Sequence, residues 1–208
     1  INIIKENKRI FDLYNTALKN FQFALKKSKE NKNIKMQIKL LLNIAHCYSR
    51  IQALELAYAT YLSALELAEK FKFSTLKLNC YYRIANFMRH SGSRIVTTYI
   101  TSANDYFNKA VSLIESNPFM FSKNINRITS IFDYYIDHLL MQKRFRSVIL
   151  INEKKYQITK ALLIHITNPV FSNSIDTELY KDYSRNNVLK IKLEENIEKL
   201  RAQNIPED

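Results

Sequence analysis

Apolar residues recur every three or four positions along most of this chain, with polar residues between them. That period places the apolar side chains on one face of a helix. Over residues 10–29 the stripe is Ile10, Phe11, Tyr14, Ala17, Phe21, Ala24 and Leu25. After a Lys-rich connection, a second helix is predicted from about Lys35 to Arg50, with Leu40, Leu41, Ile44, Ala45 and Tyr48 inward. A third runs from about Gln52 to Phe71. A fourth, over 74–90, carries Leu78, Tyr81, Ile84, Ala85 and Met88 and is broken by Ser91-Gly92-Ser93. The next is predicted over 97–115 and closes at Asn117-Pro118, since Pro cannot continue a helix and unsettles the residue before it. Two more are expected near 124–142 and 146–166, the last stopped by Asn168-Pro169. Residues 170–184 read as irregular or as a short helix. Residues 185–203 are amphipathic again, with Leu189, Leu193, Ile197 and Leu200 on one stripe. Their opposite face has the Lys190–Glu194 and Glu195–Lys199 spacings that favour exposed helices.

One word recurs within this pattern: Ala17-x3-Phe21-x2-Ala24, Ala57-x3-Tyr61-x2-Ala64 and Ala103-x3-Phe107-x2-Ala110. An aliphatic residue follows each (Leu25, Leu65, Val111), and a large apolar one precedes each (Tyr14, Leu54, Ile100). Self-similarity at a period of about 40 residues implies a stack of like units. The second and third words also have matching partner helices, Leu41, Ile44-Ala45 and Tyr48 for one, Tyr81, Ile84-Ala85 and Met88 for the other. A fourth unit is degenerate. Phe132, Tyr135-Ile136 and Leu139 fit its first helix and Phe145 and Val148 its turn, but Asn152 and Lys155 stand at the aromatic and small positions.

Large-x2-large-small-x2-aromatic, then small-x3-aromatic-x2-small, resembles the tetratricopeptide repeat. The period is longer than the commonest one of about 34 residues. It is similar to the repeats of kinesin light chains, cell-polarity adaptors and bacterial peptide-pheromone receptors. The resemblance implies an all-α fold, a right-handed superhelix of antiparallel helix pairs. Its units would span about 1–33, 34–72, 74–116 and 124–166 within an array over 1–184. Residues 185–208 would be a capping helix and tail. In the first unit Ile1 and Ile4 fit a front helix, while Lys5 and Lys8 replace its small and aromatic residues.

In that family the first helices of successive pairs line a concave face that holds a partner. Carried onto this chain, the contact positions are Lys39, Asn43, His46 and Arg50, then Asn79, Arg83, Asn86 and His90. Each set recurs every three or four residues, so each follows one side of its helix. Asn amides donate and accept at once, which suits a peptide backbone, and Arg suits carboxylates through paired hydrogen bonds. Some members clamp an acidic chain terminus, as heat-shock chaperone adaptors do. Here Asn43 and Arg83 match that clamp, but Asn79, Asn2 and Glu6 depart from it. In the degenerate unit Asp133, Tyr134 and Asp137 would face inward.

Composition narrows the function classes. Hydrophobic residues make up 47% of the 208, enough for a core. One Gly and three Pro leave too few turn residues for a sheet-rich fold and none for a phosphate-cradling loop. His46, His90, His138 and His165 lack the spacing of metal ligands, and no catalytic group or cofactor is expected. His46 and Cys47 are adjacent on a helix and point about 100° apart, so they are not a base and nucleophile. Cys47 and Cys80 have neither metal nor redox spacing and read as buried thiols of a reducing compartment, cytoplasmic or nuclear. No apolar run is long enough to span a membrane.

A net charge of +13 favours acidic partners. Lys26, Lys27, Lys29, Lys32 and Lys35 could meet phosphates, but the run sits at a helix end, where the macrodipole favours cations without a ligand. The sequence therefore points first to a non-catalytic module that binds a peptide or helix of a partner protein. The ligand-sensing part of a transcription regulator, a signal-peptide receptor, is a second reading. A basic nucleic-acid scaffold is a third.

Overall fold

The computed structural model describes residues 2–91 and 103–167, with side chains described over 8–90 and 103–163. These residues form seven α-helices and no strand. They are α1 (Asn2–Glu30), α2 (Ile34–Arg50), α3 (Leu54–Lys70), α4 (Ser74–Ser91), α5 (Ala103–Ser116), α6 (Ile125–Met141) and α7 (Phe145–Thr167). A 3-10 helix (Pro118–Asn124) precedes α6. The predicted break at Gly92, the start of the 97–115 helix, the 170–184 segment and the 185–203 capping helix lie outside the described residues. Among the described helices none is long and apolar enough to cross a membrane.

Four connections share one geometry. The middle residue of each turn lies in the left-handed region: Lys32 (φ 52°), Gln52 (65°), Lys72 (54°) and Lys143 (59°). The next residue's N–H then donates back to a carbonyl of the helix just ended. The pairs are Asn33 to Ser28, Ala53 to Tyr48, Phe73 to Ala68 and Arg144 to Leu139, each at 2.9 Å. This is the Schellman closure, which satisfies an orphan carbonyl and stops the helix. Glycine usually occupies the left-handed position; here Lys and Gln do, at a cost of about 1 kcal/mol each. The third helix, expected from about Gln52, starts at Leu54 because Gln52 is this turn residue. Asn33 caps α2 by accepting from the Met36 N–H at 3.1 Å. Asn117 accepts from the Met120 N–H at 3.2 Å and starts the 3-10 helix, with Pro118 in its first turn.

The chain divides into two compact units, Ile1–Ile114 and Glu115–Asp208. In the first, α1 packs on α2, α2 on α3 and α3 on α4, and α2 also touches α4. Tyr81 of α4 and Tyr106 of α5 meet at 6.3 Å between ring centroids. The repeated words lie in these interfaces. Ala57, Tyr61, Ala64 and Leu65 are buried, as are Ala103, Phe107, Ala110 and Val111. Ala lets helices approach closely, and the aromatic rings fill the space beyond. Tyr61 and Tyr58 both meet Phe87 of α4, at 5.5 and 6.4 Å. The first word is only half-buried, packed through Ala17, Phe21 and Leu25 against a cluster of Leu18, Ile44 and Cys47.

Three expectations are corrected. Residues 2–30 form one continuous helix, so the front helix placed around Ile1 and Ile4 does not fold back on residues 10–29. No Gly or Pro interrupts that stretch. Ile10 and Phe11 are exposed. α1 runs antiparallel to the shorter α2, whose last residue Arg50 lies over Tyr14, so residues before Tyr14 overhang it. On α2, Ile38 and Leu42 are buried while Leu41 is only partly covered, because α1, α3 and α4 all contact this helix and widen its buried face.

In the second unit α6 packs on α7, and the 3-10 helix, anchored by buried Phe121, lies against both. Phe132, Tyr135 and Leu139 are buried as expected. On α7 the buried residues are Ile151, Ile158 and Leu162, out of step with Val148, Asn152 and Lys155. Lys155 instead forms an ion pair with Asp133 of α6. Phe145 is exposed rather than packed in the turn.

Gln52→Gly is expected to raise the unfolding free energy by about 0.5–1 kcal/mol in urea titrations, since Gly relieves the left-handed strain but frees the unfolded chain. Ala57→Leu is expected to lower it by about 1–3 kcal/mol through overpacking. Ala59→Leu, on the exposed face of the same helix, is the control.

Candidate functional site

The eight expected contact residues lie on two helices that touch. α2 carries Lys39, Asn43, His46 and Arg50; α4 carries Asn79, Arg83, Asn86 and His90. Lys39, Arg50 and His90 are exposed, whereas Asn43, His46, Asn79, Arg83 and Asn86 are half-buried. Among them, Arg83 and Arg50 both act electrostatically on His46. Burial, then Arg83, then Arg50 hold its imidazole below the ordinary 6.5, so it is neutral at pH 7.

Tyr14 of α1 completes the cluster. Its ring meets His46 edge-on at 5.9 Å, and the Arg50 guanidinium lies over it at 5.5 Å. A cation over an aromatic face gains roughly 0.5–1 kcal/mol at an exposed site. The sequence pattern makes Tyr14 a packing residue, because it falls on the apolar stripe of α1. Its second role has no signal in the local pattern, since Arg50 reaches it only through the α1–α2 pairing.

Charge is segregated between these helices. α2 carries Lys35, Lys39 and Arg50 and no carboxylate. α4 carries Lys77, Arg83 and Arg89 and no carboxylate. α3 carries Glu55, Glu66 and Glu69 against Lys70 alone. Glu69 accepts from the Tyr81 hydroxyl at 3.1 Å and lies 3.7 Å from Lys77. Lys35 lies over the Phe73 ring at 5.2 Å. Lys77 and Lys35 are engaged by these contacts and Arg50 by Tyr14; Lys39, Arg50 and Arg83 are the cations of the candidate face that holds His46. Within the lysine run considered for phosphate binding, Lys27 is paired with Glu30 at 2.9 Å.

Asn86 adds a polar group without a partner. Its Oδ1 is buried and accepts no hydrogen bond among the described residues. Cys47 belongs to the α1–α2 core, and burial raises its thiol pKa. Cys80 is also buried, and burial, with Glu69 adding to it, pushes its thiol to about 12. Neither is a thiolate near neutrality. No group of three His, Cys, Asp or Glu placed to hold a metal occurs among the described residues. A shallow concavity of about 600 Å³ runs along α1, lined by Lys8, Arg9, Asp12, Leu13 and neighbours on that helix. It does not include the α2–α4 face.

The folded protein disfavours protonated His46, so the unfolded chain binds that proton more readily. The stability this group contributes is full above pH 6.5 and falls as pH drops through and below 6.5. Urea titrations from about pH 7.5 down to about 5 are expected to show that loss, and His46→Gln to reduce it. In NMR titrations Arg83→Gln is expected to move the His46 midpoint upward, and Arg50→Gln to move it less.

No protein-family model matches the chain, and it matches neither a curated protein nor a solved structure.

Proposed function

We propose that this chain is a non-catalytic, tetratricopeptide-like interaction module, a right-handed superhelix of helix pairs. It binds an acidic peptide segment of a partner protein along the face shared by α2 and α4. The observation that carries this reading is the convergence of Arg50, Arg83 and His46 on two touching helices that hold no carboxylate. Two guanidinium groups offer paired donors to carboxylates. Asn43 and Asn86 add amides suited to a peptide backbone. An extended acidic segment presents both kinds of group at close intervals. Exposed Lys39 would contribute mainly long-range attraction, screened by salt over about 8–10 Å. Half-buried Arg83 would contribute the tighter, less screened contact.

Arg83→Glu with Asn86→Ala is expected to remove binding while leaving the helix content and melting temperature near those of the parent chain. The measurement is capture from the native host with parent and variant chains, followed by calorimetry on the captured protein. Reversing a half-buried cation is expected to cost about 2–5 kcal/mol of binding. An affinity equal to that of the parent would reject this face.

A further inference from the structure

The end of the hairpin formed by α6 and α7 is apolar where it projects furthest. Leu140 and Met141 close α6, Phe145 opens α7 and Ile149 follows one turn on; they are 43%, 69%, 60% and 57% exposed. The Lys143 and Arg144 N–H groups donate back to the Leu140 and Leu139 carbonyls, at 3.0 and 2.9 Å, so the chain reverses tightly between Met141 and Phe145. The 3-10 helix leads into the start of α6, at the opposite end of the hairpin, and does not cover this turn. Large apolar side chains gathered in one place mark a contact surface, unlike scattered single residues.

Charge at this turn has the wrong sign for a helix start. Lys143, Arg144 and Arg146 stand there, residues 138–152 contain no Asp or Glu, and the first turn of α7 has no acid. The nearest carboxylate in the sequence is that of Asp137, one helical turn behind Met141. A helix N-terminus carries partial positive charge and unsatisfied N–H groups, which cations oppose and anions relieve. Other helices of this chain meet that need themselves. Asn33 caps α2, and α3 and α5 have Glu55 and Asp105 in their first turns. At the start of α7 the relief has to come from outside the turn.

We propose that the α6–α7 turn is a contact site for an anionic lipid surface. A bilayer interface presents anionic headgroups above an apolar layer, and peripheral segments sink into it by about 5–10 Å. One helical turn rises about 5.4 Å, so with the hairpin upright all four apolar residues lie within that depth. The long stems of Lys143, Arg144 and Arg146 let their charged ends reach the headgroups, and lipid phosphates suit the start of α7. Such a contact lies on the membrane and needs no spanning helix. A second copy suits the turn less well, because two such turns would set like cations against each other. Nucleic acid would meet the cations but leave Met141 and Ile149 in water.

The test uses Phe145→Trp in the full chain, which has no Trp of its own. In buffer the new indole is expected to emit as a water-exposed group. Vesicles of phosphatidylserine and phosphatidylcholine in equal parts are expected to move its emission to shorter wavelength, and brominated acyl chains to quench it. Phosphatidylcholine alone is expected to do neither. The indole of Leu56→Trp, at an exposed position of α3, is expected to respond to neither vesicle. Met141→Ser with Phe145→Ser keeps the charge and is expected to lower co-sedimentation with the mixed vesicles at least about tenfold, at unchanged helix content. Lys143→Glu with Arg146→Glu is expected to lower it by a similar factor. An indole that the mixed vesicles leave unshifted overturns the proposal, also where an acidic protein takes up the turn instead. So does an indole already shifted in buffer, which assigns the turn to another part of this chain or, with a dimer mass in sedimentation, to a second copy. Co-sedimentation unchanged by Met141→Ser with Phe145→Ser reduces the binding to net charge and overturns it too.

Discussion

After α1, α2 and α3 a single residue with positive φ turns the next N–H back into the helix just completed. That bond occupies a carbonyl the helix could not satisfy and reverses the chain within a short turn. So short a reversal leaves little freedom in where the next helix begins. Lys32, Gln52 and Lys72 fall at equal intervals, and the helices they separate alternate in direction. Alternation sets α2 beside α4 as well as beside α3. The neighbourhood of His46, Arg50 and Arg83 is therefore a product of turn geometry, since a whole helix separates Arg50 from Arg83 in the sequence.

Once α2 and α4 are side by side, their lack of carboxylates acquires meaning. A basic surplus spread over a surface is averaged by solvent and by neighbouring acids. Here neither α2 nor α4 carries an acid, and Glu69 of α3 is already engaged with Lys77 and the Tyr81 hydroxyl. The half-buried imidazole of His46 registers what remains: burial and two guanidinium groups act on it in the same direction. The packing residues and the polar face are also distinct sets. Ala57, Ala64 and Ala110 have no exposed surface, so their substitution tests stability, whereas exposed Arg50 can change with little effect on packing.

Helices and most core positions were legible because each is set by local spacing: Ala57, Tyr61, Ala85 and Phe107 are buried as their period requires. What failed depended on neighbours. The overhang that exposes Ile10 and Phe11 follows from α2 being shorter than α1, which no stripe on α1 records. The left-handed turns carry Lys and Gln, so the usual Gly signal was missing. On α7 two lines of residues share helical spacing, and only packing against α6 and the 3-10 helix selects Ile151, Ile158 and Leu162. At the site, Arg50, Arg83 and His46 were legible as members of a face. Their mutual approach and the part played by Tyr14 were not, because both arise between helices.

The free protein carries a cost at this face that a ligand of the proposed chemistry would relieve. Arg83 and Arg50 both oppose protonation of His46, as cations gathered without a counter-charge must. A carboxylate beside these guanidinium groups would offset it. Such binding would need little further ordering, because the turns and the packed Ala–aromatic interfaces already hold the two helices in place.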